Sequence, residues 1–210
     1  MRRTIAYLSV AATASLFCSQ ALAAVVVYTN RAAWTAAASA LTTENFNSFA
    51  DGIAVNSATV FPSGISIPTG SSLDISSFAF SSIGQGNALS ISPTSLPTIA
   101  LPGAPTAFGF DYADVDFGTP STISFGAFSP VLPQTGDADT GITPDDFAFF
   151  GVVASAGDIP GGRFSIVTSE GLTIDNVSFG TAAAVPEGGT LPLLSLGLVA
   201  AGLARRMRRS

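Results

Sequence analysis

The sequence predicts a mainly β protein, an antiparallel β-sandwich of jelly-roll type with one short helix near its N-terminal end and a hydrophobic helix at the end of the chain. Three observations lead there. About ten short runs rich in Val, Ile, Phe and Thr recur roughly ten residues apart between Pro, Gly, Asn and Asp. Several alternate apolar and polar residues, Phe108 and Phe110 or Ile123 and Phe125 among them, as strands with one buried face do. The pattern also lacks the crossover helices that a parallel sheet needs.

In chain order, Met1-Arg2-Arg3 is a basic start, Ile5 to Phe17 an apolar run, and Ala21-Leu22-Ala23 a small-x-small cleavage site. That is the pattern of a secretory signal peptide over residues 1–23, with Ala21 and Ala23 as the cleavage-site residues and the mature chain beginning near Ala24. Cys18, the one cysteine, lies inside it, so the body from residue 24 has no thiol and no disulfide. Val25 to Tyr28 reads as the first strand. Asn30 then caps an alanine-rich helix from Arg31 to about Leu41, with Trp34 on its packing face.

Beyond Thr42 short strands are expected. Glu44 to Phe49 alternates, and Ala50-Asp51-Gly52 turns the chain. Val55–Phe61, Ile65–Ile67, Ser77–Phe80, Asn87–Ser92 and Thr98–Leu101 follow, then Thr106–Tyr112, Ser121–Phe128 and the continuous apolar run Phe147–Ala154. Arg163–Thr168 and Leu172–Phe179 close a domain spanning residues 24–181, with a bulge expected at Asp175-Asn176, where the alternation shifts.

Charge narrows the function. The whole chain carries −6, yet between residues 24 and 186 only Arg31 and Arg163 stand against thirteen acids, a net −11. Such a body repels nucleic acid, whose phosphates need Lys and Arg. The acids cluster in Asp111, Asp114 and Asp116, and in Asp137 and Asp139, with Asp175 in the closing strand. Carboxylates and loop carbonyls are calcium ligands, so these six form a candidate calcium site, set against a role as solvated loop acids. An EF-hand is excluded, because Gly141 stands at the fifth position and no Glu at the twelfth.

The chain has no histidine and no lysine, and the body no cysteine. Ser-His-Asp triads, Cys nucleophiles, ordinary zinc sites and lysine Schiff bases are therefore out of reach. A glycosidase-type carboxylate pair remains formally open, but scattered acids always permit one. The expectation is a non-catalytic protein. A secreted carbohydrate-binding module, calcium-dependent or not, is the alternative, with Tyr28, Trp34 and Tyr112 as its candidate aromatics against a reading as core or strand-end residues. Asn176-Val177-Ser178 fits the N-glycosylation sequon, and its place inside a strand reads as packing.

The end of the chain carries the most specific signal. After a linker at 182–184 come Val185-Pro186-Glu187-Gly188-Gly189, an apolar run of 15 residues from Thr190 to Ala204, and Arg205, Arg206, Arg208 and Arg209. As a helix the run reaches ~22 Å against a hydrocarbon core of ~30 Å, and snorkelling arginines narrow the difference. The arginines hold residues 205–210 on the cytoplasmic side. This tail resembles the PEP-CTERM sorting signal of Gram-negative bacteria, with Gly188 where that signal has its second proline. The resemblance implies recognition by an exosortase after passage through the secretion machinery, and a transient membrane stay through 190–204. It further implies a cell-surface or extracellular destination, and an association with extracellular polysaccharide and biofilm. More loosely, Tyr28-Thr29-Asn30-Arg31-Ala32-Ala33-Trp34 and Ile174-Asp175-Asn176-Val177-Ser178-Phe179-Gly180 resemble the opening and closing segments of exported proteins of that kind.

Overall fold

The structure is a computed structural model that describes residues 25–57, 59–69, 73–77, 86–93, 95–113, 115, 120–135, 147–154, 159–169 and 171–184. The signal segment 1–23, the sorting step at 185–189, the span 190–204 and the basic end 205–210 lie outside the described residues. Among the described residues, no helix is long and apolar enough to cross a membrane.

In order, the elements are β1 (Val26–Tyr28), α1 (Arg31–Ala37), β2 (Ala38–Glu44), β3 (Ala54–Val55), β4 (Ser66–Thr69), β5 (Leu73–Ser76), β6 (Ala88–Ile91), β7 (Thr98–Ala100), β8 (Ala107–Ala113), β9 (Thr122–Ser124), β10 (Phe147–Val153), β11 (Arg163–Val167) and β12 (Leu172–Ala182). The fold is mainly antiparallel β in two sheets with one short helix. The larger sheet has the order β1-β10-β8-β12-β6-β5-β3, with β2 also on β12; the smaller is β4-β7-β11-β9. From β6 to β12 the chain changes sheet at every step, so each connection crosses the core.

The core lies between the sheets. Strand alternation sends Phe108, Phe110 and Tyr112 of β8 and Phe150 and Val152 of β10 inward, all at 0 % exposure. From the smaller sheet Phe164, Ile166, Ile123 and Ile99 meet them. Phe164 lies flat on Phe108, with ring centroids 4.7 Å apart and planes 2° from parallel. Each such buried side chain contributes about 1.5–3 kcal/mol of apolar transfer energy.

A second, smaller cluster covers the outer face of the larger sheet. Trp34 of α1 packs on Phe149 with centroids 5.6 Å apart and donates its indole N–H to the Val152 carbonyl at 3.0 Å. Close approach of the helix requires Gly151 beneath it. A Cβ there would lie 2.7 Å from Trp34 Cδ1 and 2.6 Å from Phe149 Cε1. Trp34 is thus a core residue, in keeping with the reading of it as a packing side chain.

Several boundaries differ from the sequence expectation. The helix starts where Asn30 predicts, its side chain accepting the Ala33 N–H at 3.0 Å. It ends at Ala37 rather than Leu41, because residues 38–44 pair antiparallel with β12, from Ala38↔Ala182 to Glu44↔Val177. Ladder pairing there outweighs alanine's helix preference. Of the expected strand Glu44–Phe49, Glu44 ends β2 and residues 45–49 form a turn, with Phe46 at φ 55°. The buried Glu44 carboxylate accepts the N–H groups of Phe46 at 3.0 Å and Ser63 at 3.1 Å. Val55–Phe61 is extended only at its start, since the Thr59 hydroxyl takes the Asn56 N–H and turns the chain. The fifth strand is Leu73–Ser76, a few residues before the expected Ser77–Phe80, of which 78–80 lie outside the described residues.

Candidate functional site

The two segments singled out at the ends of the body meet on the outer face of the larger sheet. Arg31 opens α1, and its cap Asn30 and the anchor Trp34 fix where its guanidinium lies. Its Nε donates to Oδ1 of Asp111 on β8 at 3.0 Å, and Nη2 forms an ion pair with the same oxygen at 3.0 Å. Nη2 also reaches the Asn176 carbonyl at 3.2 Å, and Nη1 the Ser178 hydroxyl at 3.3 Å. Asn176 returns the contact, its Nδ2 donating to Asp111 Oδ2 at 3.0 Å. The Ser178 hydroxyl donates to the Asn176 carbonyl at 3.0 Å and lies 2.8 Å from the Thr43 hydroxyl of β2. Behind the guanidinium, Arg31 Cζ stands 4.6 Å from the centre of the Phe149 ring, a cation–π contact.

Backbone irregularity makes this closure possible. On one side β12 pairs β8; on the other it pairs β6 through residues 172–174 and β2 through 177–182. The register slips between Asp175 and Ser178, and Asn176 takes φ 49°. The bulge expected at Asp175-Asn176 is therefore present at the point where β12 changes partners. It turns the Asn176 amide toward Asp111. The nitrogen that the glycosylation sequon would modify is engaged in that hydrogen bond, and Ser178 is buried at 2 % exposure.

Asp175 stands opposite Asp111 in the ladder, so the two carboxyl groups share a face. Asp175 is 1 % exposed, and its Oδ1 has no hydrogen-bond partner. Its pKa is pushed up from 3.8 to about 7, chiefly by burial. Repulsion from Asp111 and Glu44 adds to the rise; the Asn176 backbone N–H and the charge of Arg31 oppose it.

Of the six candidate calcium ligands, the structure brings Asp111 and Asp175 together; Asp114, Asp116, Asp137 and Asp139 lie outside the described residues. Among the described residues no group of three or more acidic side chains could hold a metal ion. Both oxygens of Asp111 are engaged by Arg31 and Asn176. The cleavage-site residues Ala21 and Ala23, the sorting residues Val185, Pro186 and Glu187, and the stop residues Arg205, Arg206, Arg208 and Arg209 also lie outside the described residues. Tyr112 is structural: it is fully buried, donates its hydroxyl to the Pro133 carbonyl at 2.9 Å, and has its phenol pKa raised far above the ordinary value by burial. Arg31, Asn176, Ser178 and Thr43 were not legible as site residues one by one. The usable signal was that Arg31 is one of two cations in an acidic body and directly follows a helix cap.

Beside the cluster lies a cleft of about 350 Å³ lined by Thr29, Asn30, Arg31, Asp111, Phe147, Ala148 and Phe149.

No protein-family model and no curated protein matches the chain in sequence. Among solved structures, the K2 cleaved adhesin domain of Lys-gingipain is similar over 68 % of this chain and 100 % of that one, at 13 % identity and a TM-score of 0.43.

Proposed function

We propose that this is an exported, non-catalytic domain for the cell surface or extracellular matrix, delivered by a PEP-CTERM-type tail and processed by an exosortase. Within its two-sheet architecture we read the body as jelly-roll-like. The observation that carries the display reading is the use to which the polar cluster is put. Arg31, Asp111, Asn176, Ser178 and Thr43 bind one another, fastening the start of the body to its closing strand. Charged hydrogen bonds of this kind contribute about 1.5–3 kcal/mol each in a protected setting. A body with no cysteine to cross-link gains from such a tie outside the cell. The order of polar step, apolar run and arginine cluster in residues 185–209 supports the sorting part.

The test is to express the full chain in paired hosts with and without an exosortase. Mass spectrometry of the surface or released protein then reports whether residues beyond the Val185–Glu187 step are lost. Tail loss in the exosortase host alone, abolished by Pro186→Ala with Glu187→Ala, is the expected outcome. Identical tail processing in both hosts refutes the assignment.

A further inference from the structure

The closing strand leaves the body at one end, and that end is built unlike the other. β12 is fastened up to its last residues. The Ala182 N–H donates to the Thr106 hydroxyl at 2.7 Å, and the Ala183 N–H to the Ala37 carbonyl at 2.8 Å. Around this exit lie the 102–105 loop, which leads into β8, and the 160–162 turn packed against it. A Cβ on Gly162 would stand 2.8 Å from the Leu101 carbonyl oxygen and 3.1 Å from Pro105 Cδ. Residues 102–104 are exposed. So is Val26, at 43 %, which the ladder Val26↔Val153↔Ala107↔Gly180 brings to the same end. A groove of about 230 Å³ opens there, with Ala40, Thr42, Pro102, Pro105, Phe179 and Thr181 in its walls and no charged residue.

Charge separates the two ends. Arg31 is engaged by Asp111, which leaves Arg163 as the body's other cation. It opens β11 opposite Ala100, at the exit end, is exposed, and carries no ion pair among the described residues. The acids belong to the opposite end. β8 finishes there at Ala113, across from Phe147 and Thr173, and just beyond it the Thr135 hydroxyl accepts the Val115 N–H. The segments attached at those points, 114–119 and 136–146, carry six aspartates in sequence, whereas the segment attached beside the exit, 155–158, carries Asp158 alone. Reach then decides which end can meet a membrane. Five residues, 185–189, separate Ala184 from the apolar run 190–204. Fully extended they cover at most about 18 Å. The 11-residue β12 is itself about 35 Å long. Such a tether is too short for the body to invert and present its acidic end. An anionic lipid surface repels that end in any case, and attracts an arginine within about a Debye length.

We propose, on the reading of residues 190–204 as a span, that the exit end of the body rests on the lipid headgroups while the tail is inserted, with Arg163 against their phosphates. The test uses the full chain, made in a host without an exosortase and reconstituted in vesicles of phosphatidylcholine and phosphatidylglycerol that carry a headgroup spin label. A fluorophore on Ala104→Cys reports the exit end, and one on Leu96→Cys, beyond the other end of β7, reports the far end, each with Cys18→Ser. The spin label quenches the fluorophore at 104 and spares the one at 96. Quenching at 104 persists when about ten Gly-Ser residues are inserted after Ala184, which separates contact from mere tethering. In that lengthened chain Arg163→Gln lowers the ratio of quenched to unquenched fluorophore about fivefold, the contribution of one arginine beside an anionic surface. Quenching at 96 equal to that at 104, loss of quenching on lengthening, or an Arg163→Gln chain that behaves as wild type overturns the proposal. Flotation of the vesicles after a carbonate wash keeps the two readings apart. A chain that does not float refutes the span and the proposal together; one that floats with 104 unquenched refutes the proposal and leaves the span standing.

Discussion

Replacing Asp175 by asparagine removes a buried carboxyl whose Oδ1 lacks a partner, and the change in stability depends on pH in a direction the structure sets. In the unfolded chain Asp175 titrates near 3.8; in the folded chain it holds its proton to about pH 7. Between those values the native state binds a proton that the unfolded state has released. The wild-type protein therefore loses stability as pH rises from about 4 to about 7 and levels off above that. At 1.36 kcal/mol per pKa unit, a rise of roughly three units amounts to about 4 kcal/mol. Asp175→Asn cannot ionise and does not carry this loss. Urea unfolding followed by Trp34 fluorescence, at intervals from pH 4 to pH 8.5, gives the stability of each form. The advantage of the variant over wild type should grow by about 1.4 kcal/mol per pH unit through the window and then hold steady. Any pH-independent cost of the amide moves this difference curve vertically without changing its slope. General repulsion among the other carboxylates acts on both proteins and cancels. A difference curve that is flat between pH 4 and pH 7 would refute the assignment of Asp175 as a buried, proton-holding group.

Other substitutions probe neighbouring parts of the same argument. Arg31→Lys keeps the charge but loses the planar fork that serves Asp111, Asn176 and Ser178 together, and should lower stability by about 1–3 kcal/mol in urea unfolding; a lysine variant as stable as wild type would show that the fork is dispensable. Gly151→Ala drives a methyl group into Trp34 and Phe149 and should cost about 1–3 kcal/mol with a shifted Trp34 emission maximum, whereas an unchanged melting temperature and spectrum would contradict the close helix–sheet approach. Tyr112→Phe removes the hydroxyl bonded to Pro133 and should cost about 1 kcal/mol in urea unfolding; a variant as stable as wild type would show that the bond contributes nothing.

Local chemistry was legible wherever it decides the outcome alone. Asn30 announced the start of α1 because its side chain needs only the Ala33 N–H three residues away. The shift from Ile174 to Val177 and Phe179 announced the bulge because a period of two tolerates no extra residue without one. The inward phenylalanines of β8 were legible for the same reason. What escaped was decided at long range. Nothing near Ala38 ends the helix; its ladder with Ala182 does. Leu73–Ser76 was missed because only two of its four residues are apolar, and its strand character comes from pairing with Val55 and Ile91. The site joins residue 31 to residues 111 and 176, separations of 80 and 145, and no spacing rule connects them. Within the site, the sequence placed Asp111 and Asp175 among possible metal ligands. It could not show that a guanidinium already occupies the first, or that the second is sealed from water.

The place of β12 bears on the order in which the molecule can be assembled. It is the last strand of the body, yet it lies inside the larger sheet, with β8 on one side and β6 and β2 on the other. Until residues 172–182 are available, β8 has one free ladder edge, β2 and β6 lack their link to it, and Arg31 lacks two of its partners. Contacts at such sequence separation close slowly, because the chain must give up loop entropy before pairing rewards it. In a chain exported as we propose, this would be a timing device. The larger sheet can close only once residues 172–182 have joined the strands before them.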